Sequence, residues 1–347
     1  MDRTKSTAID LAEAAYNIQL GAAEWLPNLL EAGGEALDRG LGCAAAIWAG
    51  ASDDGQPLIT QMHVHAGPHD LAVRFAQAAQ EVEPILARRT SEARGGGVHV
   101  VSECRHERPQ VYDAITKHVG CKDVLGVWAL DPDLHGIGIN IPSRERIELH
   151  LKTREHWQML AVHFAAAHRL RRSLGQVGDL PGTPVTEIPL NAEALLDPAR
   201  FLVSQATGDA KDTAASHLIR EAAIRHDQAR GKLRKSDPER ALRMWEGLVR
   251  GRWSLVDWFD TDGRRFILAK PNAPNVGDPR GLTEREHQVV TYASLGESHK
   301  IIGYRLGISR SRVCALLGAA MRKLGIKTQA QLVIRMHGLH RPSKDAS

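Results

Sequence analysis

The stretch GISRSRVCALLGAAMRKLG, residues 307–325, carries three arginines, one lysine and two serines, and no group suited to breaking a bond. Ser309 stands where a helix needs a side-chain cap, and Arg310, Ser311 and Arg312 fill the turn that follows. Guanidinium and hydroxyl groups at a helix start can reach the base edges of a duplex. Arg322 and Lys323, late on the same helix, are placed for backbone phosphates. Lys300, one helix upstream, is a further cation directed at nucleic acid. Between these ends the outer face is small, with Ala315, Gly318 and Ala319, so reading power is concentrated at the helix start. The competing assignment for each basic residue is a solvated surface charge.

The charge distribution favours the first assignment. The total is +4 over 347 residues, yet residues 281–340 hold nine Lys and Arg against three Asp and Glu, a net of +6. Residues 1–280 sum to −3, so a basic terminal module sits on an acidic body. No nucleophile–base pair, Gly-rich phosphate loop or paired carboxylates have a spacing that suits catalysis, so the chain reads as a non-enzyme without a cofactor. His63 and His65 would share a strand face with His69 nearby, but no cysteine or third ligand completes a metal site. Asp53 and Asp54 belong to a turn, not to the acidic cluster of a phosphate-receiving domain. The four cysteines, Cys43, Cys104, Cys121 and Cys314, lack paired spacing and read as buried structural thiols.

Presenting the cations requires a helix pair. Thr283 and Glu286 form a Thr-x-x-Glu capping box, and Gly296 suits the left-handed end of that helix. Ser298 caps a second helix through Leu306, Gly307 makes the turn, and a third helix runs over 310–324 to Gly325. Thr328 opens a fourth. Gly303 permits close approach of the pair, while Val313, Leu317, Ala320 and Leu324 step along the inward face.

Leu282-Thr283-x-Arg285-Glu286, Gly296-x-Ser298-x-Lys300, Leu306-x-Ile308-Ser309 and Arg322-Lys323-Leu324-Gly325-Ile326 together resemble the LuxR-type (LuxR/GerE) helix-turn-helix domain, over residues 281–336. The resemblance implies a four-helix domain, here 281–340, that binds double-stranded DNA as a homodimer with its third helix in the major groove. Lys300, Ser309, Arg310, Ser311, Arg312, Arg322 and Lys323 are the DNA-binding candidates. The family's usual Thr-Val-Lys-x-His is replaced by Arg312-Val313-Cys314-Ala315-Leu316, which removes two groups that would contact phosphate or base edges. The expected role is transcription regulation. The alternative is a regulator that keeps the fold but binds a protein partner through the depleted face.

The remainder reads as the sensor part of a multidomain α+β chain. Over 7–174, strand runs at 43–50, 57–65, 124–130 and 136–142 alternate with helical patterns, closing on an amphipathic helix capped by Thr153 and ended by Gly175. That order resembles a GAF-type domain, which implies a pocket for a small-molecule effector or a dimer-forming surface. A Gly/Pro-rich linker spans 175–187. Residues 188–272 form a small, faintly PAS-like α+β module: a hairpin at 193–204, helices, a helix over 239–249 started by Asp237 and Pro238, and a hairpin turning at Asp262-Gly263. Trp48 and Trp128 read as core. No run of about 18 apolar residues occurs and no secretory signal is evident, so the expectation is a cytoplasmic protein without a membrane segment.

Overall fold

The computed structural model describes residues 8–51, 57–82, 97–131, 135–177, 188–245, 248–249, 253–260, 262–271, 282–324 and 326–333. Helices α1 (Ala8–Ala15) and α2 (Ala22–Gly33) precede strands β1 (Cys43–Ala51) and β2 (Pro57–His65). Helix α3 (Leu71–Glu81), β3 (Gly97–Val100), α4 (Pro109–Val119), β4 (Asp123–Leu130), β5 (His135–Ser143) and the long α5 (Leu151–Val177) follow. The sheet is antiparallel throughout, in the order β2-β1-β5-β4-β3. The turn between β1 and β2, with Asp53 and Asp54, lies outside the described residues.

Strand alternation builds two layers. Leu125, Val127 and Ala129 of β4 and Ile137, Ile139 and Ile141 of β5 join one core with Leu160, Phe164 and Ala167 of α5. Trp48 and Trp128, ring centroids 5.5 Å apart, form a small cluster with Ala46 and Leu130 on the other face. Cys43 is buried, as the sequence suggests, and its burial pushes the thiol up to about 12. Cys104 and Cys121 are half-buried, and Cys314 is exposed, against expectation.

Helix α5 begins at Leu151 and runs through Gly175 to Val177, so Thr153 and Gly175 are not its boundaries. One interior glycine costs only about 1 kcal/mol. The apolar stripe of Trp157, Leu160, Ala161, Phe164 and Ala167 is buried against the sheet and outweighs that cost.

The second module contains β6 (Ala194–Asp197), β7 (Leu202–Ala206), α6 (Thr213–Arg230), α7 (Leu233–Ser236), α8 (Pro238–Met244), β8 (Leu248–Val249), β9 (Trp253–Phe259) and β10 (Arg265–Pro271). Its sheet is also antiparallel, in the order β7-β6-β10-β9-β8. Counted within each module, both sheets run second-first-fifth-fourth-third. One face, with Leu255 and Ile267, packs on Ile219 and Ala223 of α6. The other, with Val256, Trp258 and Leu268, joins the core of the first module. Asp237 caps α8 by accepting from the Arg240 amide. The helix expected over 239–249 stops at Met244 instead: Trp245 turns extended, and Leu248 and Val249 pair with β9. Ladder pairing there prevails over helical patterning.

The C-terminal module is helical: α9 (Glu284–Ser294), α10 (His299–Leu306), α11 (Arg310–Leu324) and a turn of helix at 329–333. It has its own core of Val289, Val290, Ile302, Val313, Leu317 and Leu332. No helix among the described residues is long and apolar enough to cross a membrane.

Candidate nucleic-acid interface

Local chemistry sets α10 and α11 where the sequence pattern expects them. Thr283 accepts from the Glu286 amide, and the Glu286 carboxylate accepts from the Thr283 amide at 2.8 Å, completing the capping box. Ser298 caps α10 through the Ile301 amide. Gly307 ends α10 at φ +62°, in the left-handed region that glycine tolerates. Ser309 accepts from the Arg312 amide and so caps α11. Val313 is fully buried and fixes the phase of α11, turning Ser309, Arg310, Ser311, Arg312, Cys314 and Ala315 to solvent.

Arg310, Arg312 and Arg322 are exposed and make no ion pair among the described residues. The Ser309 and Ser311 hydroxyls lie 2.9 Å apart at the helix start. Arg322 lies back along the outer face, its guanidinium 3.7 Å from where a Cβ on Gly318 would stand. The exposed surface of α11 therefore presents two hydroxyls and three guanidinium groups that make no ion pair among the described residues. The Lys323 side chain lies outside the described residues. Cys314 contacts His299 Nδ1 at 3.2 Å, joining α11 to the start of α10.

Lys300 is placed differently. Its Nζ donates to Glu155 on α5 at 2.6 Å, so this cation faces the body. Around it, α10 docks. Ile301 joins the core of the body, and the Tyr304 hydroxyl donates to the Leu242 carbonyl at 3.1 Å. His163 Nε2 lies 2.7 Å from the same Tyr304 oxygen, and His163 Nδ1 lies 3.3 Å from the Tyr16 hydroxyl. With Tyr304 donating to Leu242, its oxygen accepts from Nε2–H, which leaves Nδ1 to accept from Tyr16. Burial holds this imidazole neutral, pushing its pKa down to about 3, and a neighbouring His226 adds to the shift. A second contact runs through Arg169 of α5, which pairs with buried Asp131 and also hydrogen-bonds Tyr292 of α9.

Sequence reading missed this docking set. The one available signal was His163 itself, a histidine inside the apolar run AVHFAAAH, which needs a partner when buried.

A search of the curated proteins finds no match to the chain. Residues 280–336 match the family described as bacterial regulatory proteins, luxR family, and the C-terminal module is thus a LuxR-family helix-turn-helix domain.

Proposed function

We propose that the chain is a DNA-binding transcriptional regulator that acts as a homodimer, with α11 in the major groove and the two-sheet body controlling how the domain is presented. The observation that carries this reading is the exposed surface of α11: Arg310 and Arg312 at its start, with two cap-turn hydroxyls, and Arg322 near its end stand exposed and without an ion pair among the described residues. Arg310, Ser311 and Arg312 supply base reading, Ser309 closes the approach to the backbone, and Arg322 and Lys323 contact phosphate. Lys300 joins them once it leaves Glu155. The strand order shared by the two sheets supports a GAF-like sensor at 7–174 and a related module at 188–272. Helix α5 carries the signal, because Glu155, His163 and Arg169 all engage the DNA-binding domain.

The test is Arg312→Ala, compared with the native chain on a selected duplex across a salt series. Loss of a base contact weakens binding by about 1–3 kcal/mol, and loss of a phosphate contact lowers the salt slope by about 1. Unchanged affinity together with an unchanged slope refutes the assignment. The second reading, a protein-binding surface, is favoured by the exposed Cys314 and half-buried Leu316, where the family's usual Lys and His would stand. Selection of genomic fragments by the purified chain separates the two, since a protein-binding module enriches none.

A further inference from the structure

Cys43, Cys104 and Cys121 sit where a thiol does little. Burial pushes the Cys43 thiol up to about 12 and the Cys121 thiol up to about 11. The half-buried Cys104 donates to the Val101 carbonyl at 3.0 Å. A thiol attacks as its thiolate, so such surroundings leave a cysteine inert. Cys314 is placed differently. It is exposed on α11, and its Sγ lies 3.2 Å from Nδ1 of the half-buried His299 at the start of α10. A nucleophile within hydrogen-bond reach of a base is the arrangement that activates a thiol.

The neighbours of this pair select what reaches it. Arg310 stands four residues before Cys314, the spacing at which helix side chains are adjacent. Gly318 stands four residues after it and leaves that turn without a side chain. Arg322 folds back over the opening, its guanidinium 3.7 Å from where a Cβ on Gly318 would stand. Both arginines are exposed, and neither makes an ion pair among the described residues. Helix α11 has no Asp or Glu to neutralise them, and Glu297, just ahead of α10, is held by Arg305 at 2.6 Å. Guanidinium groups therefore flank the thiol along the helix and favour a carboxylate-bearing reagent over a cationic one.

We propose that Cys314 is a reversible modification site, at which a small anionic disulfide forms a mixed disulfide with the chain while His299 acts as the base, and that the adduct releases α11 from DNA. The Cys314 proton passes to His299 Nδ1, and the thiolate attacks one sulfur of the reagent. The reagent's S–S bond breaks as the new one forms, and the expelled thiolate recovers the proton from the imidazolium. Cys314 is thereby oxidised and the expelled half reduced by the same electron pair. The attached half lies on the exposed surface of α11, and its carboxylates occupy Arg310 and Arg322 in place of DNA. A reducing thiol reverses the exchange and restores the free helix. The regulatory half of the proposal rests on the DNA-binding reading above; the modification half does not.

The experiment treats the folded full chain with oxidised glutathione, an anionic disulfide, and with cystamine, a cationic one, and maps the adducts by peptide mass spectrometry. Each rate is taken relative to the same chain unfolded in urea, which removes the reagents' intrinsic difference. The expected result is modification of Cys314 ahead of the other three cysteines, with oxidised glutathione favoured over cystamine and the adduct removed by dithiothreitol. His299→Gln keeps an acceptor for the thiol but no base, and is expected to slow the Cys314 reaction by roughly tenfold or more. The modified chain is expected to bind a selected duplex roughly tenfold or more weakly, as loss of one or more contacts would cause. Cys314→Ser is expected to lose this response to the reagent. First modification at another cysteine, or a Cys314 no faster in the folded chain than in the unfolded one, overturns the site. An unchanged rate in His299→Gln overturns the role of the base, and an equal preference for cystamine overturns that of the arginines. A modified chain that binds the duplex as tightly as before overturns the release. A chain that is modified at Cys314 but selects no DNA in its reduced form refutes the function reading and leaves the site intact.

Discussion

Arg305 lies within the helix pair and is nonetheless withdrawn from nucleic acid. Its guanidinium donates to both Glu297 oxygens, at 3.2 and 2.6 Å, and lies 4.5 Å over the Tyr292 ring. It is 8 % exposed. Burial works to raise the Glu297 carboxyl above its ordinary range, and the Arg305 charge holds it back. Removing one partner of such a pair strands the other charge, so Arg305→Ala is expected to destabilise the chain by about 3–5 kcal/mol in urea unfolding. Replacing the pair with Arg305→Met and Glu297→Leu together is expected to recover most of that loss, because no stranded charge remains. A double variant no better than the single one refutes this account. The sequence distinguishes Arg310 and Arg312 from the buried face through the phase of α11. It does not distinguish Arg305, whose burial depends on a partner eight residues away and on Tyr292 of another helix. Cys314 is the reverse case: it follows Val313 directly, and the periodicity that buries Val313 already implies an exposed thiol. The expectation of burial came from cysteine's usual habit and overrode a pattern that was present.

At the level of elements, short-range signals were legible and long-range pairing was not. The capping box at Thr283, the caps at Ser298 and Ser309 and the Gly307 turn all depend on residues within a few positions. Gly303 belongs with them. A Cβ there would stand 2.7 Å from the Ile308 carbonyl oxygen, at the turn where α11 begins. Backbone on the far side of that contact cannot swing away as a flexible side chain would. Gly303→Ala is therefore expected to spread α10 from α11 and cost about 1–3 kcal/mol, as overpacking does. Thermal unfolding measures the cost, and a variant as stable as the native chain would falsify the close-approach argument. Beyond such local rules, the sequence was silent. The two sheets share one strand order, yet no sequence repeat announced it, since the order is set by pairing between distant segments. Strand β8 has two residues and was absorbed into a helical pattern; only its ladder to β9 reveals it.

On the scale of the whole molecule, three hydrogen bonds join parts of the chain that are far apart in sequence: Tyr16 to His163, His163 to Tyr304 and Tyr304 to Leu242. The His163 imidazole is their pivot, and the chain of donors works only while it is neutral. Burial depresses His163 from 6.5 to about 3, and burial likewise depresses His226 to about 4, the latter packed at 4.1 Å against Trp245. Above pH 6.5 both groups are neutral whether folded or unfolded, and protonation imposes no penalty. As pH falls below 6.5, the unfolded chain takes up protons that the folded chain refuses, so stability declines until the folded values are reached. Between pH 7.5 and 5 the expected loss is about 2 kcal/mol for each of the two histidines. His156, also lowered by burial, contributes in the same direction. Asp257, lowered below 3.8 in the folded chain, titrates at more acid pH and does not confuse this window. Urea unfolding at the two pH values measures the loss, and a flat profile would count against buried neutral histidines. His163→Gln separates the pivot from its neighbour: the amide can donate to Tyr304 and accept from Tyr16 without titrating. That variant is expected to stay docked, with Lys300 still held by Glu155, and to lose about 2 kcal/mol less than the native chain over the same pH interval. An unchanged pH dependence in the variant would place the proton uptake elsewhere and leave the three-part link without its acid sensitivity.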